Sequence, residues 1–150
     1  MLAFCLERFV WYLNNAFCAR DSDFPGECYW YSRGLEGLAY RLHVLTVIPG
    51  SILACLQFIP ALQRNKLVSF HRVNGYVVLV LSAVATVTAW IIGPVAVGGT
   101  LLVQIGLFIS SGSFVFALLK AYISIRQLRI DEHREWMLRA WSYVRPPASP

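Results

Sequence analysis

The chain has 150 residues, of which 57% are hydrophobic and 14% charged, and its formal net charge is +5. A water-soluble domain carries about 25% charged residues, so this composition, with a mean hydropathy of +0.57, argues for lipid as the solvent. The basic excess does not indicate nucleic acid, because the cations flank apolar runs and do not gather on one polar face.

Residues 1–41 read as a non-cytosolic, interfacial region. Met1 to Phe17 mixes Leu2, Phe4, Leu6, Phe9, Val10, Trp11 and Leu13 with Glu7, Arg8, Asn14 and Asn15. A signal peptide needs an unbroken apolar stretch after a basic start, and Glu7-Arg8 interrupts it. The stretch is too short and polar to span, and its aromatic content predicts a helix lying in the membrane interface. Asp21, Ser22, Asp23, Pro25 and Gly26 then predict a loop. The cysteines are Cys5, Cys18, Cys28 and Cys55. No CxxC spacing occurs among them, so neither a zinc site nor a dithiol redox site is indicated. Cys18 and Cys28 form a disulfide if this region faces an oxidising compartment and stay thiols if it does not. Tyr29-Trp30-Tyr31 predict an aromatic belt at the headgroup layer.

Three apolar runs follow, at about residues 42–62, 73–92 and 100–125, and predict an all-α membrane protein with three transmembrane helices. The first holds no charge between Arg41 and Arg64, and at 1.5 Å per residue it covers about 30 Å, the thickness of a hydrocarbon core. Pro49 interrupts its backbone hydrogen bonding, and Gln57 is its one strongly polar interior residue. The second run is rich in Val and Thr, yet in lipid an uninterrupted run of this length must satisfy its own backbone, so helix is predicted over strand. Gly93-Pro94 stops it, and Gly98-Gly99 closes an uncharged turn. The small residues Gly50 and Ala54, Ser82 and Thr86, and Gly106, Ser110, Ser113 and Ala117 are spaced to let helix backbones pack closely. A short amphipathic helix is predicted after the third run, with Asp131 as its N-cap and Glu132 and Glu135 in its first turn. Residues 42–144 thus make a helical membrane domain, and residues 145–150 a disordered tail.

Charge sets the expected orientation. The loop after the first run holds Arg64, Lys66 and Arg72 without an acid, the segment after the third is also basic, and the turn between the second and third is uncharged. By the positive-inside rule both basic segments are cytosolic and the N-terminus is not. The pattern also repeats. Gly50-Ser51, Leu56, Arg64 and His71-Arg72 recur 62 residues later as Gly112-Ser113, Leu118, Arg126 and His133-Arg134, as a parallel helical repeat would require.

Several blocks resemble a known family. They are Gly26-Glu27-Cys28-Tyr29-Trp30-Tyr31, His43, Gln57-Phe58-Ile59-Pro60, Phe70-His71-Arg72-Val73-Asn74-Gly75-Tyr76, Gly98-Gly99, and His133 through Trp141. The chain is similar over about residues 26–144 to predicted membrane proteins carrying domain of unknown function 2306, above all to fungal members. The resemblance implies a small helical bundle whose last helices follow the second His-Arg block. Here Pro146-Pro147 come instead, so the chain is expected to stop before the family's last helix. The family carries no established activity to transfer.

The functional expectations rest on the two His-Arg blocks. Arg72 and Arg134, at helix N-terminal turns on the cytosolic side, suit lipid phosphates or other anions. The non-enzymatic reading is therefore a multi-pass membrane protein whose basic loops contact headgroups or a partner, with a helix–helix partner or a second copy possible in the bilayer. The alternative is a b-type haem held by His71 and His133, with the arginines on its propionates. No catalytic motif is present, no acid lies within the three runs, and Glu132-His133-Arg134-Glu135 lacks the second histidine that a zinc helix needs.

Overall fold

The computed structural model describes residues 27–59 and 68–143. The expected interfacial helix of residues 1–17, the loop over 19–27 up to Gly26, and the tail of 145–150 lie outside the described residues. Five α-helices occur among the described residues: α1 (Glu27–Ser32), α2 (Gly34–Gln57), α3 (Val68–Ile92), α4 (Leu101–Arg126) and α5 (Ile130–Tyr143), with a 3-10 turn at Ala96–Gly99. The all-α expectation holds, and α2, α3 and α4 are each long and apolar enough to cross a membrane. The chain divides into two compact units, residues 1–99 and 100–150.

In the first unit α2 and α3 form an antiparallel hairpin. Gln57 pairs with His71, Leu53 with Asn74, Gly50 with Leu81, and His43 with Ala85 and Thr88. The seam is made of small and polar residues: Gly50, Ser51, Ala54, Asn74, Ser82 and Thr86 are all buried. A Cβ on Gly50 would lie 3.5 Å from the Leu81 side chain, an ordinary contact, so this point of the seam is packed without demanding glycine. Large apolar side chains point the other way. Leu45, Ile52, Val73, Val80 and Val87 are all exposed, as a lipid-facing surface requires.

Helix α2 begins at Gly34, eight residues before the expected start of the first span, and ends at Gln57 rather than near residue 62. Arg33 is extended and Gly34 has φ +65, a left-handed turn that glycine adopts without strain. This corner folds α1 back onto α2. Tyr31 and Tyr40 stack with ring centroids 4.2 Å apart, and Tyr31, Ala39, Tyr40, Val44 and Ile92 form a buried cluster. Tyr31 is therefore packed inside, whereas Tyr29 and Trp30 are exposed as a headgroup belt would have them. Cys28 is disulfide-bonded, and Cys18, the partner expected for it, lies outside the described residues. Helix α3 starts at Val68, so His71 and Arg72 are its fourth and fifth residues.

In the second unit α4 and α5 form another antiparallel hairpin. Phe114 meets Trp141 and Phe116 meets Trp136 edge to face, at 5.7 and 5.8 Å. Ala117, Leu118, Ala121 and Ala140 are buried. Of the small residues expected to pack in this span, Ala117 is buried, while Ser110 is exposed and a Cβ on Gly106 would meet nothing within 4 Å among the described residues. The turn between the helices is a Schellman motif: Arg129 N donates to Ser124 O (2.9 Å) and Leu128 N to Ile125 O (3.1 Å). The motif puts Leu128 at φ 60, where glycine is usual. It also lets α5 start at Ile130, and His133 N bonds the carbonyl of Arg129. Arg129 thus holds the N-cap position, and Asp131, expected there, sits with Glu132 in the first turn.

Leu128→Gly should raise the stability of the detergent-solubilised protein by about 1 kcal/mol, since it relieves left-handed strain at an exposed position. A thermal unfolding midpoint that rises by a few degrees would bear this out, and one that falls would contradict it.

Candidate functional site

Each His-Arg block starts a helix that folds back on the helix before it. In the first unit Gln57, at the last turn of α2, donates from Nε2 to the His71 carbonyl (3.0 Å), and Asn74 Nδ2 donates to Leu53 O (3.0 Å). Both amides are buried. They reach across the hairpin to main-chain oxygens, so they fix where α3 begins relative to α2. A Cβ on Gly75 would lie 3.8 Å from Gln57 Nε2, an ordinary contact, so the Gln57 bond does not itself require glycine there. His71 is half-buried against this end of the hairpin, and Arg72, the next residue, is exposed.

The second unit reaches the same outcome with different atoms. His133 Nδ1 donates to Ala121 O (2.9 Å). A carbonyl only accepts, so this contact assigns the proton of the neutral ring to Nδ1. Ser124 Oγ donates to Glu132 Oε2 (3.4 Å), and Arg129 pairs with Glu132 at 3.2 Å. Arg134 is exposed. Thus each histidine position belongs to an interhelical tie and each arginine projects from it. His71 and Arg72 lie in one unit, His133 and Arg134 in the other.

One polar residue acquires a role that the sequence did not suggest. His43, named in the sequence only among the blocks that resemble the family, sits inside the first hairpin. Its Nδ1 donates to Ala85 O (2.9 Å) with Thr88 Oγ1 3.3 Å away. Thr88 in turn donates to Val84 O and Ala85 O of its own helix. Finding this from sequence would require the α2–α3 register, which places residue 43 opposite 85–88. Among the described residues no group of three His, Cys, Asp or Glu side chains is placed to hold a metal ion.

Asn74→Leu should lower stability by about 1–2 kcal/mol, because it removes a buried interhelical bond and must refit the seam. Arg72→Ala, at an exposed position, should stay within about 0.5 kcal/mol. Unfolding titrations of the two purified variants in one detergent compare them directly, and equal stabilities would contradict the buried-tie assignment.

A model of a family of predicted membrane proteins, DUF2306, matches residues 40–145, which takes in both hairpins and both His-Arg blocks. No curated protein and no solved structure matches the chain.

Proposed function

The chain belongs to this DUF2306 family of predicted membrane proteins, and from that premise we propose that it is a binding protein of the bilayer, not an enzyme, whose two His-Arg turns contact anionic lipid headgroups on the cytosolic face. The observation that carries this reading is the common build of the two turns. In each, a histidine position is tied to the preceding helix while the following arginine, Arg72 or Arg134, is exposed in the first turns of a new helix. Helix N-termini and arginine both favour phosphate oxygens.

The orientation has two independent supports. One is charge: Arg64, Lys66 and Arg72 follow α2 without an acid, and no charge lies between α3 and α4. The other is Cys28. It packs against the cluster of Tyr40 and Ile92, at the end of the hairpin opposite Gln57 and His71. A disulfide there suits a non-cytosolic compartment. The same threading puts residues 93–100 outside and the α4–α5 turn inside.

A second reading draws on His133. A ring held through Nδ1–H on a backbone carbonyl presents Nε2 as a lone-pair donor, the arrangement that orients many metal-ligating histidines. On that reading His133 is one axial ligand of a b-type haem. A Soret band in protein purified from haem-replete cells, lost in His133→Ala, would favour it over headgroup contact.

For the primary reading, a fluorescent phosphatidylglycerol should bind the detergent-purified protein more tightly than the phosphatidylcholine analogue. Arg72→Ala and Arg134→Ala should each weaken it about 3- to 5-fold, with the preference shrinking at high salt. Affinities that do not change in either variant would remove the proposal. A tag in the Lys66 loop that is reachable only from outside the cell would reverse the orientation.

A further inference from the structure

The two His-Arg turns share a register but not a charge, and the difference falls on one residue. Ser69 is the second residue of α3, and Asp131, 62 residues further on, is the second of α5. Each stands three residues before the arginine of its block, Arg72 or Arg134, and each is exposed. Residues three apart on a helix share a face. The second turn therefore carries an acid on the face of its arginine, with Glu132 next to it. The first turn has a hydroxyl in the acid's place, and no acid occurs from Arg64 to Arg72.

Ser69 is placed to be modified, not to pack. Ser110, Ser111 and Ser142 turn their hydroxyls onto carbonyls of the preceding turn, and Ser124 reaches Glu132. Ser69 has no helical turn behind it, and among the described residues no hydrogen bond holds its hydroxyl. The tie from Gln57 to α3 is made at His71, two residues later. Helix ends open at almost no cost, so the chain around Ser69 opens while that tie stays closed.

The flanking residues are those that a basic-directed protein kinase reads. Lys66 lies three residues before Ser69 and Arg64 five before it, Phe70 follows it, and Arg72 lies three after. Such an enzyme selects its serine by setting carboxylates against basic side chains on either side. ATP is cytosolic, and the positive-inside threading puts this segment there. Ser142 also has a basic residue three before it, Arg139. That guanidinium is held by Glu135 and lies over Trp136, and the Ser142 hydroxyl is committed to Arg139 O at 2.7 Å.

We propose that Ser69 is a phosphorylation site for a basic-directed cytosolic protein kinase, and that its phosphate withdraws Arg72 from lipid headgroups. The serine Oγ attacks the γ-phosphorus of ATP. The new O–P bond forms as the bond to the bridging oxygen breaks, ADP leaves, and the hydroxyl proton passes to the kinase's catalytic base. The phosphate brings a charge of about −1.5 to −2 to a segment whose Arg64, Lys66 and Arg72 are unopposed. It stands in the first turn of α3, where negative charge is favoured. Its oxygens compete with lipid phosphates for Arg72, one turn on. The first turn then has the charge order that Asp131 gives the second. The inference rests on the headgroup-contacting reading given above and supplies its regulation.

The test treats the whole detergent-purified protein with the catalytic fragment of protein kinase C and radiolabelled ATP. Label should enter the wild type, Ser142→Ala and Ser69→Thr, fall in Lys66→Gln, and be absent from Ser69→Ala. The threonine variant keeps a hydroxyl, so loss of the acceptor is separated from misfolding. Label that fails to enter the wild type, or that survives Ser69→Ala, overturns the site. Phosphorylated protein should bind fluorescent phosphatidylglycerol about tenfold more weakly than untreated protein, as a change of two charges implies. Ser69→Ala should bind equally with and without kinase. Ser69→Asp should weaken binding about threefold in the wild type and by less in Arg72→Ala, since the added acid acts through that arginine. Equal factors in the two backgrounds overturn the withdrawal of Arg72. So does a labelled Ser69 that leaves affinity unchanged while Arg72→Ala lowers it. If Ser69 takes label and Arg72→Ala leaves lipid binding untouched, the headgroup reading falls and the modification site stands. If Arg72→Ala weakens binding and Ser69 takes no label, this inference falls alone.

Discussion

A backbone carbonyl in hydrocarbon has a second lone pair and no water to fill it. A donor that reaches it from a neighbouring helix therefore makes a directional tie that water cannot compete for. Both hairpins are organised around such ties. Asn74 reaches Leu53 O, Gln57 reaches His71 O and His43 reaches Ala85 O in the first unit, and His133 reaches Ala121 O in the second. In water, burial of apolar surface would hold the helices together. In lipid the acyl chains are as apolar as the helix faces, so small residues and these few bonds must set the register. That is why so many buried side chains in the first seam are polar: Ser51, Gln57, Asn74, Ser82, Thr86 and Thr88.

The two units share a plan but not a chemistry. Helices α3 and α5 start at Val68 and Ile130, the same 62-residue offset that relates the His-Arg blocks, and the block occupies the fourth and fifth positions of each helix. Applied to the ties, the offset fails. The position of Asn74 is taken by Trp136 and that of Gln57 by Leu119. The first hairpin closes with two amides and the His43 imidazole on carbonyls, the second with aromatic edges and the His133 imidazole. What recurs is the point where a helix begins again and the arginine that follows it. The means of holding the hairpin differs between them.

Much of this architecture is legible in the chain. The number of long apolar helices follows from hydropathy alone, because lipid leaves the backbone no other option. Gln57 stands out as a polar residue in an apolar run, and it proves to be an interhelical donor. Three features resisted reading, each for a physical reason. The start of α2 is hidden because Arg33, Glu36 and Arg41 look like a polar flank, whereas the helix is set by the left-handed turn at Gly34 and covered by α1. The N-cap of α5 is Arg129, not Asp131, because a Schellman turn built on a leucine ends α4 and restarts the chain within three residues. The partner of His43 depends on a register that only the paired helices define.

The second hairpin also constrains where lipid can end. On α5 the residues facing α4 are His133, Trp136, Met137, Ala140 and Trp141, while Asp131, Glu132, Arg134, Glu135 and Arg139 are exposed. The Phe116–Trp136 and Phe114–Trp141 contacts set this charged face beside the C-terminal half of α4. A helix that runs beside a spanning helix cannot present such a face to acyl chains at the full depth of the core. Headgroups, water or polar protein must therefore meet the hairpin well before α4 ends at Arg126. The ring pairs at Phe114 and Phe116 lie where apolar and charged surfaces adjoin, which is where aromatic side chains are favoured. The greater exposure of α4 along its first half, with Leu101, Leu102 and Ile109 among its most exposed residues, completes the division. The second half of this helix carries α5 along one side and keeps Phe116, Leu119 and Ile123 exposed.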